Sequence, residues 1–193
     1  MRDDEDAWLL TQLRRGSHSA FERIYSSHKQ ALYGFLVRLC RDPNLAADLF
    51  QNTWLKLSRY AADLRDDTNL RAWLLTVARN EYRSYCRAQM LDLSRLLVLD
   101  QIVARGACTE LPCDRELADI DAALAALEVH DREVLLLVCV EGLEPRQASA
   151  VLGISQAALR QRLARARKRL RNELERNDGF VDPRSPEPSS RKS

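Results

Sequence analysis

The chain has 193 residues, a length for one ordinary domain or two small ones. It is 46% hydrophobic and 30% charged with only 6 Gly and 6 Pro, which favours helices over a many-turned β fold. A formal charge of +2, taken as a total, argues against a simple nucleic-acid-coating protein, and the absence of an 18-residue apolar run excludes a transmembrane helix.

The first ten residues, MRDDEDAWLL, carry four acids before the apolar pair, unlike a signal peptide, so a cytoplasmic location is expected. Residues 1–15 read as a short helix with Asp3 or Asp4 as its cap. Ser19 and Glu22 form a capping-box pattern, followed by a stripe of Phe21, Ile24, Tyr25, Leu32, Phe35, Leu36 and Leu39 to about Cys40. Asp42-Pro43 reads as cap and first-turn proline of a helix carrying Leu45, Leu49, Phe50, Trp54, Leu55 and Leu57 and ending near Tyr60. After a polar stretch, Asp67 or Thr68 is placed to cap a helix bearing Leu70, Trp73, Leu74, Val77, Ala78 and Tyr82 to about Met90.

Residues 91–115 read as a linker whose apolar first half (Leu93, Leu96, Leu97, Leu99, Ile102, Val103) should pack on this chain or a partner. Residues 116–127 resume a helical pattern, Asp131 is placed to cap Arg132–Val140, and Gly142 to end it. Pro145 starts a helix to Leu152, Gly153 breaks it, and Ser155 caps a long helix to about Arg176. Residues 177–193, with three Pro and four Ser, lack the apolar content to fold. The expected fold class is therefore all-α: two small helical domains, 1–90 and 116–176, joined by a flexible, partly apolar linker.

Five Cys at irregular spacing suit reduced thiols rather than a disulfide framework, with Cys40, Cys86 and Cys139 as small core residues. Cys108 and Cys113 form a loop C-x4-C, and His18, His28 and His130 are scattered, so neither a metal nor a cofactor is expected. No phosphate-cradling glycine loop or nucleophile–base pair is visible, and adjacent Asp66 and Asp67 suit a helix-capping loop, so catalysis is not expected.

Resolved by segment, the charge is far from uniform. Residues 119–155 carry 2 basic and 7 acidic side chains, whereas residues 156–176 carry 8 basic and 2 acidic. Between Ser155 and Asn172 no acid relieves the repulsion among Arg160, Arg162, Arg165, Arg167, Lys168, Arg169 and Arg171, which favours a polyanion partner over a merely solvated helix face. PRQASAVL, GIS and QAALRQRLARARKRL together read as a helix-turn-helix, with Ala148 and Ala150 small enough for close crossing and Ile154 beneath the turn. Its second helix, with Ser155 at its start in the DNA-binding set, would place Gln156, Ala157, Arg160 and Gln161 toward base edges, and Arg162, Arg165, Arg167 and Lys168 toward phosphates.

Two signatures in order, DLFQNTWLKLSRY with LRAWLLTVARNEYRSYCR and then DREVLLLVCVEGLEPRQASAVLGIS with LRQRLARARKRLR, resemble regions 2 and 4 of the extracytoplasmic-function group of bacterial sigma factors. The resemblance covers about residues 10–176. It implies that Asp48, Gln51, Asn52, Thr53 and Trp54 meet the clamp helices of the polymerase β′ subunit, the β subunit being a further contact. It implies that the helix Leu70–Arg87 reads the −10 element with Asn80, Arg83, Ser84 and Arg87 on its exposed DNA side, and that the loop Leu64–Asn69, with Leu64, Arg65, Asp66 and Asn69, holds a base flipped from the nontemplate strand. It implies that the helix from Ser155 reads the −35 element, and that an anti-sigma protein, often membrane-anchored, controls the factor. No small-molecule substrate is implied. Ala47 and Asn52 stand where family members often carry an acid, and Ala157-Ala158-Leu159 replaces a frequent Gly-Thr-Val. A two-domain regulator with a sensory N-terminal domain is the competing reading; it would leave RAWLLTVARN and DLFQNTW without a role.

Overall fold

The computed structural model describes residues 2–65, 67–96 and 115–177. Among them the helices are α1 (Arg2–Arg14), α2 (His18–Cys40), α3 (Pro43–Tyr60), α4 (Leu70–Leu96), α5 (Arg115–Ala126), α6 (Val129–Leu135), α7 (Pro145–Leu152) and α8 (Gln156–Asn177). Expectations for the linker from residue 97 to 114, for Cys108 and Cys113, for Asp66 and for the tail from residue 178 lie outside the described residues.

The caps explain several boundaries. Helix α1 begins at Arg2, before either expected cap, Asp3 or Asp4. Helix α2 starts two residues earlier than the Ser19 pattern suggests: Ser17 is its cap, its hydroxyl accepting from Ala20 N at 3.3 Å. Asp42 caps α3 as expected, accepting from Asn44 N at 2.9 Å and Leu45 N at 3.2 Å. At α4 the cap is Asn69, not Asp67 or Thr68; its Oδ1 accepts from Ala72 N at 2.8 Å. Asp131 lies inside the first turn of α6 rather than at its cap, which is Glu128.

The run expected as one helix over Arg132–Val140 changes pitch. Leu136–Val140 widen into a π-helical turn, closed by Glu141 N donating to Leu136 O at 2.8 Å. Leu136 and Leu137 are thereby buried, Cys139 and Val140 stay exposed, and Glu141 turns inward. Cys139 is thus not the core residue its helical pattern suggested. Gly142, at φ +62°, then takes the left-handed conformation that ends the helix.

Leu9, Ile24, Phe35, Leu36, Leu39, Leu57, Leu70, Leu74 and Leu75 fill the space among α1–α4, and Leu124, Val134, Leu135, Ala148, Leu159 and Ala166 do so among α5–α8. Each such large side chain contributes about 1.5–3 kcal/mol by leaving water. The two groups belong to one continuous hydrophobic cluster. Helix α2 meets α5, α6 and the π turn, and α4 meets α7, so both halves share one interior.

Candidate nucleic-acid interface

The helix-turn-helix is α7, the turn Gly153–Ser155, and α8. Gly153, at φ +66°, ends α7, and the Ser155 hydroxyl caps α8 by accepting from Ala158 N at 3.1 Å. Ala148 is fully buried at the crossing, whereas Ala150 faces solvent. Leu159 and Ala166 are buried, with Leu163 and Leu170 packed beside them, and this fixes the rotation of α8. At 100° per residue the opposite side carries Ala157, Gln161, Arg165 and Lys168, flanked by Arg160 and Arg171, and all are exposed. Gln156 and Ser155 are exposed at its start, while Arg162 is half-buried on one flank.

Not every exposed cation of α8 is without a partner. Arg169 Nη1 pairs with Asp131 and lies 3.9 Å from Glu128 Oε2. Arg167 Nη2 lies 3.7 Å from Cys139 Sγ. The expected repulsion along α8 is therefore relieved at Arg169, by Glu128 and Asp131 about forty positions away in sequence. An i,i+4 survey within the helix could not find them.

On α4, Asn80, Arg83, Ser84 and Arg87 are all exposed, on the side away from Leu74, Leu75 and Ala78. Arg87 Nη2 donates to the Ser84 hydroxyl at 3.1 Å. In the preceding loop Leu64 is half-buried, Arg65 pairs with Asp67 at 3.0 Å, and Asn69 spends its side-chain oxygen on capping α4. Asn69 thus fixes the start of the helix beside the expected base pocket.

On α3 the expected contact set splits. Asp48, Gln51 and Asn52 are exposed on one stripe. Thr53 and Trp54 are interior: the Thr53 hydroxyl donates to Leu49 O at 2.8 Å, and Trp54 sits among Phe21, Tyr25 and Phe50 with ring centroids 4.9–6.0 Å away. Their burial removes them from a contact surface and makes them supports of the helix. Leu55, expected within the apolar side, is instead 63% exposed. The i, i+3, i+4, i+7 spacing of residues 48, 51, 52 and 55 is the signal that could have found it.

Buried arginines, unremarked in the sequence, join the two halves. Arg79 of α4 and Glu133 of α6 are 5% and 1% exposed and bond at 3.0 Å, while Arg79 Nη1 also donates to Val151 O of α7 at 3.2 Å. Arg71 of α4 pairs with Glu141 at 2.9 Å. Arg132 donates to the carbonyls of Leu124, Ala125 and Leu127 at the C-terminus of α5 and to Leu39 O of α2, at 2.7–3.0 Å. Burial, with Arg41 adding to it, lowers the Arg132 pKa. Burial also pushes the Cys40 thiol up to about 12 and raises Tyr82, next to Cys86.

Comparison with known proteins agrees with the order of these surfaces. The Sigma-70 region 2 family model matches residues 24–91, and the Sigma-70, region 4 model matches residues 117–170. The RNA polymerase sigma factor CarQ of Myxococcus xanthus is 33% identical, over 86% of this chain and 95% of its own length. A probable RNA polymerase sigma factor, RfaY, of Xanthomonas campestris pv. campestris is 29% identical over 95% of this chain, which spans about half (48%) of that relative's length. Among solved structures, the sigma factor RpoE from Bartonella quintana, in complex with the anti-sigma factor NepR, is 27% identical with a TM-score of 0.71, over 80% of this chain and 96% of that one.

Proposed function

We propose a promoter-directing role from this premise: the chain belongs to the extracytoplasmic-function group of bacterial RNA polymerase sigma factors. It binds core RNA polymerase and brings it to promoters through two DNA elements. Two matched regions in the family order, each turning a polar or cationic face to solvent, carry this reading. A sensory N-terminal domain is set aside because region 2 occupies residues 24–91.

Asp48, Gln51, Asn52 and Leu55 supply the surface on α3 for the β′ clamp, a polar stripe with one apolar anchor that stays soluble when free and packs when bound. Asn80, Arg83, Ser84 and Arg87 meet the −10 element, and the loop from Leu64 to Asn69 takes an unstacked base. Unstacking costs a few kcal/mol, which a pocket beside a cationic helix can offset. Gln156, Ala157, Arg160 and Gln161 face the −35 duplex edges, and Arg165, Lys168 and Arg171 its phosphates. Arg169, paired with Asp131, contributes less than its charge suggests. An anti-sigma protein is the controlling partner, as for the Bartonella relative, and the site of action is the cytoplasm, where the polymerase is.

The test adds purified protein to core RNA polymerase with a promoter library and maps runoff transcripts. Initiation from a defined set of start sites is expected. No promoter-specific initiation, together with no core binding, would overturn the proposal.

A further inference from the structure

Around α8 the charge divides by direction. Leu159 and Ala166, 1% and 0% exposed, point into the core. At about 100° per residue, Ala157, Gln161, Ala164 and Lys168 lie within about 30° of the opposite direction, and all four are exposed. Arg160 and Arg171 border this line on one side and Arg165 on the other, about 50–70° from its centre. Ala157, Gln161 and Ala164 therefore form an uncharged strip between cationic rims. That cross-section matches a duplex groove, which has phosphates on both walls and base edges on its floor. A helix about 10–12 Å across with its side chains nearly fills a major groove about 12 Å wide, so a long side chain at residue 157 or 164 would hold the axis off the floor. The two alanines have nothing beyond Cβ and let the axis approach. Within the strip, Gln161 alone is then long enough to span to a base edge, while Arg160 reaches its edge from the flank. Ala157 and Ala164 are about 10.5 Å apart along the axis, or about three base-pair steps of about 3.4 Å, with Gln161 between them.

We propose that Gln161 is the specificity-determining residue at one position of the −35 element, where it selects adenine. The inference deepens the sigma-factor reading and rests on it for the identity of the element. The chemistry is a matched pair: the Gln161 amide N–H donates to adenine N7, and adenine N6–H donates to the amide oxygen. Guanine presents two acceptors at the same place, so the amide oxygen faces another acceptor. Thymine presents one acceptor beside its methyl group, and cytosine one donor, so each leaves half of the amide unmatched. One paired contact separates the right base from a wrong one by about 5- to 150-fold. Arg165, Lys168 and Arg171, on phosphates, raise affinity for every sequence alike and cannot supply such a preference.

The experiment uses holoenzyme assembled from core RNA polymerase and the full-length chain as wild type, Gln161→Ala or Gln161→Glu. The template is a promoter library randomised across the −35 element, and single-round transcripts are sequenced. Wild type should favour adenine over guanine at least about fivefold at one position. Gln161→Ala should reduce that preference to under about twofold and leave the other positions as they were. Gln161→Glu keeps the length of the side chain but presents only acceptors, so preference at the same position should move toward cytosine, whose N4 donates. Residue 161 is exposed, so both variants should keep the wild-type unfolding midpoint and core binding. A Gln161→Ala profile equal to that of wild type, or one flattened equally at every position, would overturn the assignment. Absence of any promoter-specific initiation by wild type would overturn the sigma-factor reading instead; sequencing the random duplex retained by the full-length chain then makes the same comparison at residue 161.

Discussion

Lys168 and Arg169 are neighbours on the most basic helix of the chain, yet the structure gives them different tasks, and salt separates them. Lys168 points to solvent on the face of α8 opposite Leu159 and Ala166, whereas Arg169 is held by Asp131 and faces Glu128. Counting Arg165, Lys168 and Arg171 as the phosphate-facing cations gives three released counterions and a slope of log Kobs against log salt of about −2.7. Duplex affinity should then fall about 40-fold between 50 and 200 mM salt. Lys168→Gln removes one contact, so its slope should be about −1.8 and its fall about 12-fold. Arg169→Gln should keep the wild-type slope and instead lower the thermal stability of the α5–α8 half, because Asp131, nearly buried, loses its partner. Fluorescence anisotropy with the full chain and a labelled duplex across that salt range makes the comparison. An Arg169→Gln slope reduced as much as that of Lys168→Gln would refute the assignment of the two residues.

Two further expectations concern the interior. Arg132→Met removes four charged hydrogen bonds and leaves the last carbonyls of α5 unpaired; set against relief of guanidinium burial, the net loss should be about 3–5 kcal/mol. That corresponds to about 6–20 °C in thermal unfolding followed by circular dichroism, with Arg132→Lys intermediate; a shift under about 2 °C would contradict it. Cys40, raised from 9.0 to about 12, binds its proton more tightly folded than unfolded, so its stabilising contribution is complete below pH 9 and is lost as pH rises toward 12. Tyr82 acts in the same direction. The urea midpoint should therefore fall between pH 8 and pH 10, and fall less in Cys40→Ala; an equal fall in both would count against the Cys40 contribution.

Features governed by neighbours along the chain were legible in the residues. Asp42-Pro43, Pro145, Gly153 and Ser155 mark boundaries through local hydrogen bonds and backbone preferences, and the structure keeps each of them. The cationic face of α8 follows from its 3.6-residue period. Features that depend on distant partners were not legible. Asp131 has the composition of a cap, but its carboxylate is claimed by Arg169 from α8. Leu55 has the composition of a core residue, but Leu49, Thr53, Trp54 and Leu57 already fill the inner side of α3. Arg79 and Arg132 resemble surface arginines in any local pattern; only the arrival of Glu133, Val151 and Leu39 makes them interior.

Helix α3 keeps its outward stripe and its inward support on separate residues, and this has a consequence for how its variants will be read. A genetic screen scored by loss of transcription would rank Trp54 and Thr53 highly, although neither can touch a partner from inside the helix packing. Asp48, Gln51, Asn52 and Leu55 can drift with little effect on folding. If that stripe is the polymerase contact proposed above, lineages can retune competition for a shared polymerase without passing through unstable intermediates, and the traces of that retuning belong in the outer stripe alone.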